Sequence, residues 1–152
     1  MPTRLDARRA VLAAKKRLGL RWATIADGLG RSVEWTVSAL LGQQTLTEQQ
    51  AVTAGELLEL DTGTVEALLL PPVRGADAVD TTDPLVYRLA EVVQVYGTTI
   101  SELVREEFGD GIVSAIDFEL GLERVPDPKG DRAVITLNGK FLPYGPGDDR
   151  TA

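Results

Sequence analysis

A proline- and glycine-rich stretch near the middle of the chain, PPVRGADAVDTTDP, interrupts every hydrophobic periodicity around it. It runs from Pro71 to Pro84, and proline and glycine at this density end helices and strands alike. A chain of 152 residues is long enough for one core or for two small ones, so this interruption decides how the chain is divided. We predict a helical domain over residues 1–72, a linker over 73–83 and a second domain over 84–152.

The first region carries the start and stop signals of several short helices. Its apolar-periodic segments have Ser or Thr near their start or Gly at their end, which are residues preferred at helix caps. The segments are LDARRAVLAAKKRLG ending at Gly19, RWATIADGLG ending at Gly30, SVEWTVSALLG starting at Ser32, TEQQAVTAGELLEL starting at Thr47, and TGTVEALLL. The pattern predicts an all-helical bundle that contains a helix-turn-helix-like pair.

The region after the linker is predicted to form helices followed by strands. PLVYRLAEVVQVYG, residues 84–97, has one amphipathic face, and TTISELVREEFG is predicted as a second helix capped by Thr98 or Thr99. Apolar and polar residues alternate in AIDFELGLERV, as in a strand with one face toward water. AVITLNGKFL is predicted as a hairpin that turns at Asn138-Gly139, because both turn residues must tolerate positive φ.

This second region is thin for an independent domain. Two helices and two or three strands bury little apolar surface, and a sheet this small is marginal alone. We therefore expect it to share its sheet or core with another subunit. The predicted fold class is α+β, with a helical N-terminal bundle and a small C-terminal α+β domain.

Composition removes several kinds of chemistry. The chain has no Cys and no His, so it lacks thiol nucleophiles, imidazole bases, disulfides and the usual zinc ligand sets. Any catalysis must use Arg, Lys, carboxylates, hydroxyl groups or the backbone. The net charge is -7, and all the excess lies in residues 71–152, which hold 8 basic and 15 acidic groups against 8 and 8 in residues 1–70. We expect no nucleic acid and no anionic membrane as partner of this acidic half, since like charges repel.

Hydropathy and the N-terminal segment bear on localisation. No apolar run approaches the roughly 20 residues that a membrane span needs, so we expect no span. Residues 1–21 are basic and amphipathic but lack the apolar core of a secretory signal. They are interpreted as a plain first helix, with a mitochondrial transit peptide as the alternative.

A DNA-binding role is the first functional hypothesis. WATIADGLGRSVEWTVSALLG has the length, central glycine and apolar spacing of a repressor-type helix-turn-helix. Its recognition position offers Glu34, Trp35, Thr36 and Ser38, with no Lys or Arg to meet phosphate. A helix-turn-helix that serves as a packing unit is therefore favoured, and a DNA-binding regulator stays as the alternative.

A cation within the apolar stripe of the first C-terminal helix is the second candidate. Arg88 lies one turn before Val92 on that face, and Glu91 follows at i+3, where its carboxylate can hold the guanidinium. GDGIVSAI, residues 109–116, places glycines beside a small hydroxyl residue, Ser114, and this combination offers backbone N–H groups and a short donor to a small anion. Residue spacing leaves open the alternative of a buried ion pair beside a tight turn.

The segments that contain these residues resemble one enzyme family. YRLAEVVQVYGTT and FGDGIVSAI, within residues 83–143, closely resemble the C-terminal domain of cyanase, also called cyanate hydratase or cyanate lyase. LGRSVEWTVSALLGQQTLTEQQAV resembles the family's helical N-terminal domain, and the linker with its Arg74-Gly75 also fits, so the resemblance covers nearly the whole chain. The tail YGPGDDRTA differs from the usual family ending and leaves the three candidate residues untouched.

The resemblance implies a carbon–nitrogen lyase that decomposes cyanate with bicarbonate as co-substrate, through carbamate, to ammonia and carbon dioxide. The family's catalytic Arg, Glu and Ser correspond to Arg88, Glu91 and Ser114, in a C-terminal domain for dimerisation and catalysis. The resemblance also implies a homodecamer of five dimers with active sites at subunit interfaces, and no metal or other cofactor. We expect a cytoplasmic enzyme that serves cyanate detoxification and nitrogen supply.

These residue types suit the implied reaction. Cyanate and bicarbonate are both anions that must meet at one carbon, so repulsion and orientation are the main obstacles. A guanidinium is always charged and presents several donors in a fixed fork. Arg88 is expected to bind the anions, Glu91 to fix the Arg88 rotamer, and Ser114 with neighbouring backbone N–H groups to orient the oxygens. Catalysis then comes from proximity and preorganised charge.

Overall fold

Over the residues that the structure describes, the chain folds as six helices followed by two antiparallel strands, which confirms the predicted α+β class. This computed structural model describes residues 1–73 and 78–145. The elements are α1 Arg4–Leu18, α2 Trp22–Leu29, α3 Val33–Leu40, α4 Glu48–Leu58, α5 Thr62–Leu68, α6 Pro84–Phe108, β1 Gly111–Val125 and β2 Arg132–Pro143. The chain divides into two compact units, Met1–Ala76 and Asp77–Ala152. The predicted linker residues Arg74-Gly75 and the tail beyond 145 lie outside the described residues.

The N-terminal unit is built around one apolar core. All five of its helices contribute side chains that are almost wholly buried: Ala7, Val11, Ile25, Ala39, Leu40, Ala51, Ala54, Leu58, Ala67 and Leu68. Half of these residues are alanines, and small side chains let helices approach closely. Helices α2 and α3, joined by residues 30–32, pack against each other as the predicted helix-turn-helix-like pair.

Local capping signals set the helix ends of this unit. Gly19 and Gly30 both have φ of 64°, so each ends its helix in the left-handed conformation that glycine adopts without strain. Ser32 and Thr47 each accept a hydrogen bond from the backbone N–H three residues on. These four caps are the ones that the sequence predicts.

No helix in the described residues has the length and apolar character that crossing a bilayer requires.

The C-terminal unit begins with one long helix, not the two that we predicted. Helix α6 is continuous over Pro84–Phe108, and Thr98 and Thr99 lie inside it as ordinary helical residues. The apolar spacing explains the difference, because Tyr96, Ile100 and Leu103 continue the same face without a change of phase. A threonine caps a helix only where the backbone leaves the helical conformation. Here the continuous apolar face favours a helical backbone at both threonines.

The hairpin also differs from the prediction. Strands β1 and β2 pair with each other, and residues 126–131 connect them, with Gly130 at φ of 122°. Asn138-Gly139 is not the turn but lies within β2, opposite Glu119 and Phe118. A turn at Asn138-Gly139 would give strands of about four residues, whereas the observed turn gives a ladder more than twice as long.

A wide bulge interrupts this ladder near its open end. Val113 pairs with Phe141, and the next paired residue of β1, Phe118, is opposite Gly139. Four residues of β1, 114–117, therefore face the single residue Lys140 of β2. The predicted strand began at residue 115, but the observed strand begins at Gly111 and takes the bulge into itself.

The C-terminal unit buries almost nothing of its own. Helix α6 has no buried residue, and its apolar face stays open, with Leu89 44% and Val93 68% exposed. The apolar face of the hairpin is open as well, since Leu122 is 63% and Leu137 69% exposed. Among the described residues of this unit, 78–145, only Ser114 is buried, at 7% exposure. Nothing in the described part of the chain covers these two faces.

Candidate active site

Arg88 and Glu91 form an ion pair on the second turn of α6. The distance from Arg88 Nη1 to Glu91 Oε2 is 2.8 Å, so the carboxylate accepts a hydrogen bond from the guanidinium, as the i+3 spacing predicts. The Arg88 guanidinium also lies 5.8 Å from the ring centre of Tyr87, the preceding residue. Two contacts from the same helix thus restrict where the guanidinium points.

The pair is open to solvent in the single chain. The Arg88 side chain is 70% exposed and the Glu91 side chain 46%. The pair is therefore not buried within the single chain, and the alternative of a purely structural ion pair stays open. A guanidinium has five N–H donors, and within the described residues only the bond to Glu91 engages them, so most of its donors remain for an anion.

Ser114 opens the bulge of β1, and two backbone bonds hold its side chain. Ser114 Oγ accepts hydrogen bonds from the N–H of Ile116 at 3.1 Å and from the N–H of Asp117 at 3.0 Å. In this local motif, the backbone of the bulge wraps around the serine side chain and is hydrogen-bonded to it. The N–H groups of Ile116 and Asp117 are thus engaged by the serine, and the expected role of other neighbouring backbone N–H groups stays a prediction.

The two bonds determine what the Ser114 hydroxyl can still do. A hydroxyl oxygen has two acceptor lone pairs and one hydrogen, and the two N–H groups occupy the acceptor side. No acceptor within residues 1–73 and 78–145 receives the Ser114 hydrogen. Within the described residues, the Ser114 hydroxyl therefore keeps its hydrogen for a further acceptor.

One chain does not bring Ser114 to the Arg88–Glu91 pair. The hairpin meets α6 through Phe141, whose ring stacks on Phe108 with 5.1 Å between the ring centres, at the last turn of the helix. At ~1.5 Å per residue, α6 rises about 30 Å between Arg88 and Phe108. The exposed apolar face of α6 shows that the hairpin does not fold back along the helix. Arg88 and Ser114 thus lie toward opposite ends of the unit.

An open groove of about 280 Å³ borders the bulge and was not foreseen from the sequence. Its lining comes from neighbouring positions of the two strands: Asp117, Phe118, Glu119, Asn138 and Lys140. The groove could not be predicted with the turn placed at Asn138-Gly139, because only the observed pairing of β1 with β2 brings these two strand segments together. Within the described ranges, no three His, Cys, Asp or Glu residues converge in a way that could hold a metal ion.

Family models match both halves of the chain. The model described as "Cyanate hydratase, N-terminal" matches residues 4–72, and the one described as "Cyanate lyase C-terminal domain" matches residues 78–146. The second match includes Arg88, Glu91 and Ser114.

Similar proteins carry the same description over nearly their full length. A cyanate hydratase of Thiobacillus denitrificans is 52% identical over 143 residues, which are 93% of this chain and 97% of that protein. A cyanate hydratase of Mycolicibacterium vanbaalenii is 50% identical over 143 residues, 93% of this chain and 94% of that protein. The crystal structure of cyanase from T. urticae superposes with a TM-score of 0.79 and 34% identity, and covers 90% of this chain and 96% of that one.

Proposed function

The chain belongs to the cyanate hydratase (cyanase) family, and from this membership we propose that it decomposes cyanate with bicarbonate, through carbamate, to ammonia and carbon dioxide. It is a carbon–nitrogen lyase, and the alternative of a DNA-binding regulator is dropped. The observation that carries the proposal is the family match through both halves of the chain, which includes the helix of Arg88 and the strand of Ser114. A cytoplasmic location stays a prediction.

The proposed reaction needs two anions at one carbon. A bicarbonate oxygen bonds to the cyanate carbon, and the former bicarbonate carbon then leaves as carbon dioxide. The nitrogen gains one proton from bicarbonate and one from solvent, which gives carbamate. Carbamate takes up a further proton and loses a second carbon dioxide to release ammonia. No step requires a nucleophilic side chain, so a chain without Cys and His can promote it.

Charge is the first requirement of this site. Two unit negative charges 4 Å apart repel by about 1 kcal/mol in water and by about 4 kcal/mol at an effective dielectric constant of 20. A guanidinium placed against both anions offsets that repulsion with a charge that does not titrate near neutral pH. We assign this role to Arg88, with Glu91 holding its rotamer through the 2.8 Å bond.

Orientation is the second requirement, and the Ser114 hydroxyl is suited to it. Its acceptor side is occupied by the N–H groups of Ile116 and Asp117, so it presents a hydrogen to an anionic oxygen without competing as an acceptor. Fixed donors of this kind stabilise charge as it moves during reaction, because they need no reorganisation. We propose that Ser114 orients the bound oxygens in this way, and that no metal or other cofactor takes part.

An assay of ammonia release tests the proposed function. We expect ammonia from cyanate only when bicarbonate is present, and we expect the same rate after dialysis against a chelator. Bicarbonate is required because it supplies the oxygen that attacks the cyanate carbon. A rate that falls to background on chelation and returns with added zinc would contradict the cofactor-free mechanism. A rate independent of bicarbonate would contradict the proposed reaction.

The positions of the site residues support a site shared between copies of the chain. Arg88 and Ser114 lie far apart within one unit, and both the face of α6 and the apolar face of the hairpin are uncovered. Packing copies of the C-terminal unit together would cover these faces and would bring Arg88 of one copy to Ser114 of another. We propose a homodecamer of five dimers with active sites at the subunit interfaces, as the family resemblance implies.

Particle mass tests this assembly. Ten copies of 16.4 kDa make a particle of about 164 kDa, and we expect that mass in light scattering, because the exposed apolar faces of the C-terminal unit are costly to leave in water. The measurement is made at micromolar protein concentration after size exclusion. A single stable species of 16.4 kDa would rule out both the assembly and a site shared between copies.

A further inference from the structure

Gly139 lies in β2 at the edge of the bulge that holds Ser114. It pairs with Phe118, the first residue of β1 to rejoin the ladder after the bulge. Its φ is not in the left-handed region, so backbone conformation does not require glycine at this position. Space does require it: a Cβ on residue 139 would lie 2.5 Å from the carbonyl oxygen of Ser114 and would also overlap a methyl group of Val113.

The two overlaps differ in how they can be relieved. The overlap with Val113 involves a side-chain methyl group, which only a change of the Val113 rotamer would move. The Ser114 carbonyl is backbone, and it cannot move unless residue 114 moves with it. Since real Cβ atoms essentially never approach other atoms within 3.0 Å, a side chain at position 139 must push β2 and the bulge that holds Ser114 apart. The N–H groups of Ile116 and Asp117, which are bonded to Ser114 Oγ, would shift as well.

We propose that Gly139 is a positioning residue for the reaction. Its missing side chain lets the bulge close against β2 and thereby fixes the place and direction of the Ser114 hydroxyl. This inference rests on the proposed function, in which that hydroxyl donates its hydrogen to the bound anions. Gly139 touches no substrate and acts only through Ser114.

A Gly139→Ala variant of the full-length chain tests the proposal. We expect kcat to fall by about 100-fold, because a displacement of about 1 Å at a catalytic group costs on that order. We expect KM for cyanate to change little, since Arg88 is untouched. Gly121→Ala is the matched control in the same hairpin, because a Cβ there would meet Thr136 Cβ at 3.5 Å, an ordinary contact. Native turnover is expected for this control.

A double-mutant cycle separates positioning from a merely structural role. If Gly139 acts through Ser114, then Gly139→Ala should lower kcat in the native background and have no further effect in a Ser114→Ala background. A residue needed only for folding would lower turnover by the same factor in both backgrounds. Equal factors, or native kcat in Gly139→Ala alone, would overturn the proposal.

Hydrogen exchange gives a readout that does not depend on activity. In Gly139→Ala we expect faster exchange in the peptide spanning residues 112–118, which contains the two N–H groups bonded to Ser114 Oγ, and unchanged exchange in Gly121→Ala. Unchanged exchange in Gly139→Ala would overturn the proposed geometry. If the unsubstituted protein did not decompose cyanate, the proposed function would be refuted. The exchange result would still show whether Gly139 fixes the position of Ser114.

A second variant guards against loss of assembly. Gly139→Ala combined with Val113→Ala removes the overlap with the Val113 methyl group and keeps the overlap with the Ser114 carbonyl. It should therefore assemble more readily than Gly139→Ala and show the same loss of kcat relative to Val113→Ala alone. If the combined variant recovered the kcat of Val113→Ala, the carbonyl contact would not be what positions Ser114, and the proposal would fall.

Discussion

Arg88→Lys is expected to reduce cyanate turnover by about 100-fold or more while leaving the particle intact. Lysine keeps the charge, but its compact ammonium cannot reproduce the planar fork that bonds Glu91 and two anions at once. Arg88 is 70% exposed in the chain, so the substitution creates no cavity within the unit. Thermal midpoint, particle mass and turnover should be measured on the same preparation.

The same helix provides the matched control. Arg105 bonds Glu102 at 3.2 Å across the same three-residue spacing, and it is also solvent-exposed in the chain. Arg105→Lys should retain native turnover, because the proposed mechanism gives Arg105 no contact with the anions. Near-native turnover in Arg88→Lys would refute the role of Arg88. A collapsed particle in that variant would instead show that the pair is a structural contact between copies.

Mixed particles of two inactive variants should recover activity. If each site takes Arg88 from one copy and Ser114 from another, particles assembled from Arg88→Ala and Ser114→Ala chains contain some sites with both native residues. Random assembly of equal amounts gives at most about a quarter of such sites. We therefore expect turnover to rise from background to as much as about a quarter of the native value. The two chains would carry different affinity tags, and doubly purified particles would be assayed.

A second mixture is the control for this experiment. Arg88 and Glu91 bond each other within one chain, so mixing Arg88→Ala with Glu91→Ala never restores an intact pair. That mixture should stay at background. If the mixture of Arg88→Ala and Ser114→Ala also stayed at background, a site that combines Arg88 of one copy with Ser114 of another would be refuted.

The N-terminal unit could be predicted in detail because its signals are local. Gly19, Gly30, Ser32 and Thr47 end or begin helices through bonds that reach only a few residues along the chain. Such signals act wherever the segment is placed. The Arg88–Glu91 contact was predictable for the same reason, since helical geometry alone brings i and i+3 together.

The hairpin was mispredicted because its signals depend on distant partners. Asn138-Gly139 has the sequence of a turn, but Gly139 is there to leave room for Ser114, which lies on the other strand. A glycine needed for space cannot be told from one needed for positive φ until the pairing is known. The bulge at residues 114–117 was hidden for the same reason, because only the register reveals four residues opposite one. The roles of Arg88, Glu91 and Ser114 in catalysis stay predictions until the variants are measured.

The uncovered C-terminal unit has a consequence for how newly made chains mature. The N-terminal unit has its own apolar core, whereas Ser114 is the one buried residue among those described in the C-terminal unit. Under the proposed assembly, contacts between chains supply most of the free energy that stabilises the second unit. The folding of this unit therefore depends on chain concentration. Maturation then becomes a reaction of higher than first order in chain number. At low chain concentration the C-terminal unit would therefore complete its folding more slowly, and active enzyme would form later than the chain itself.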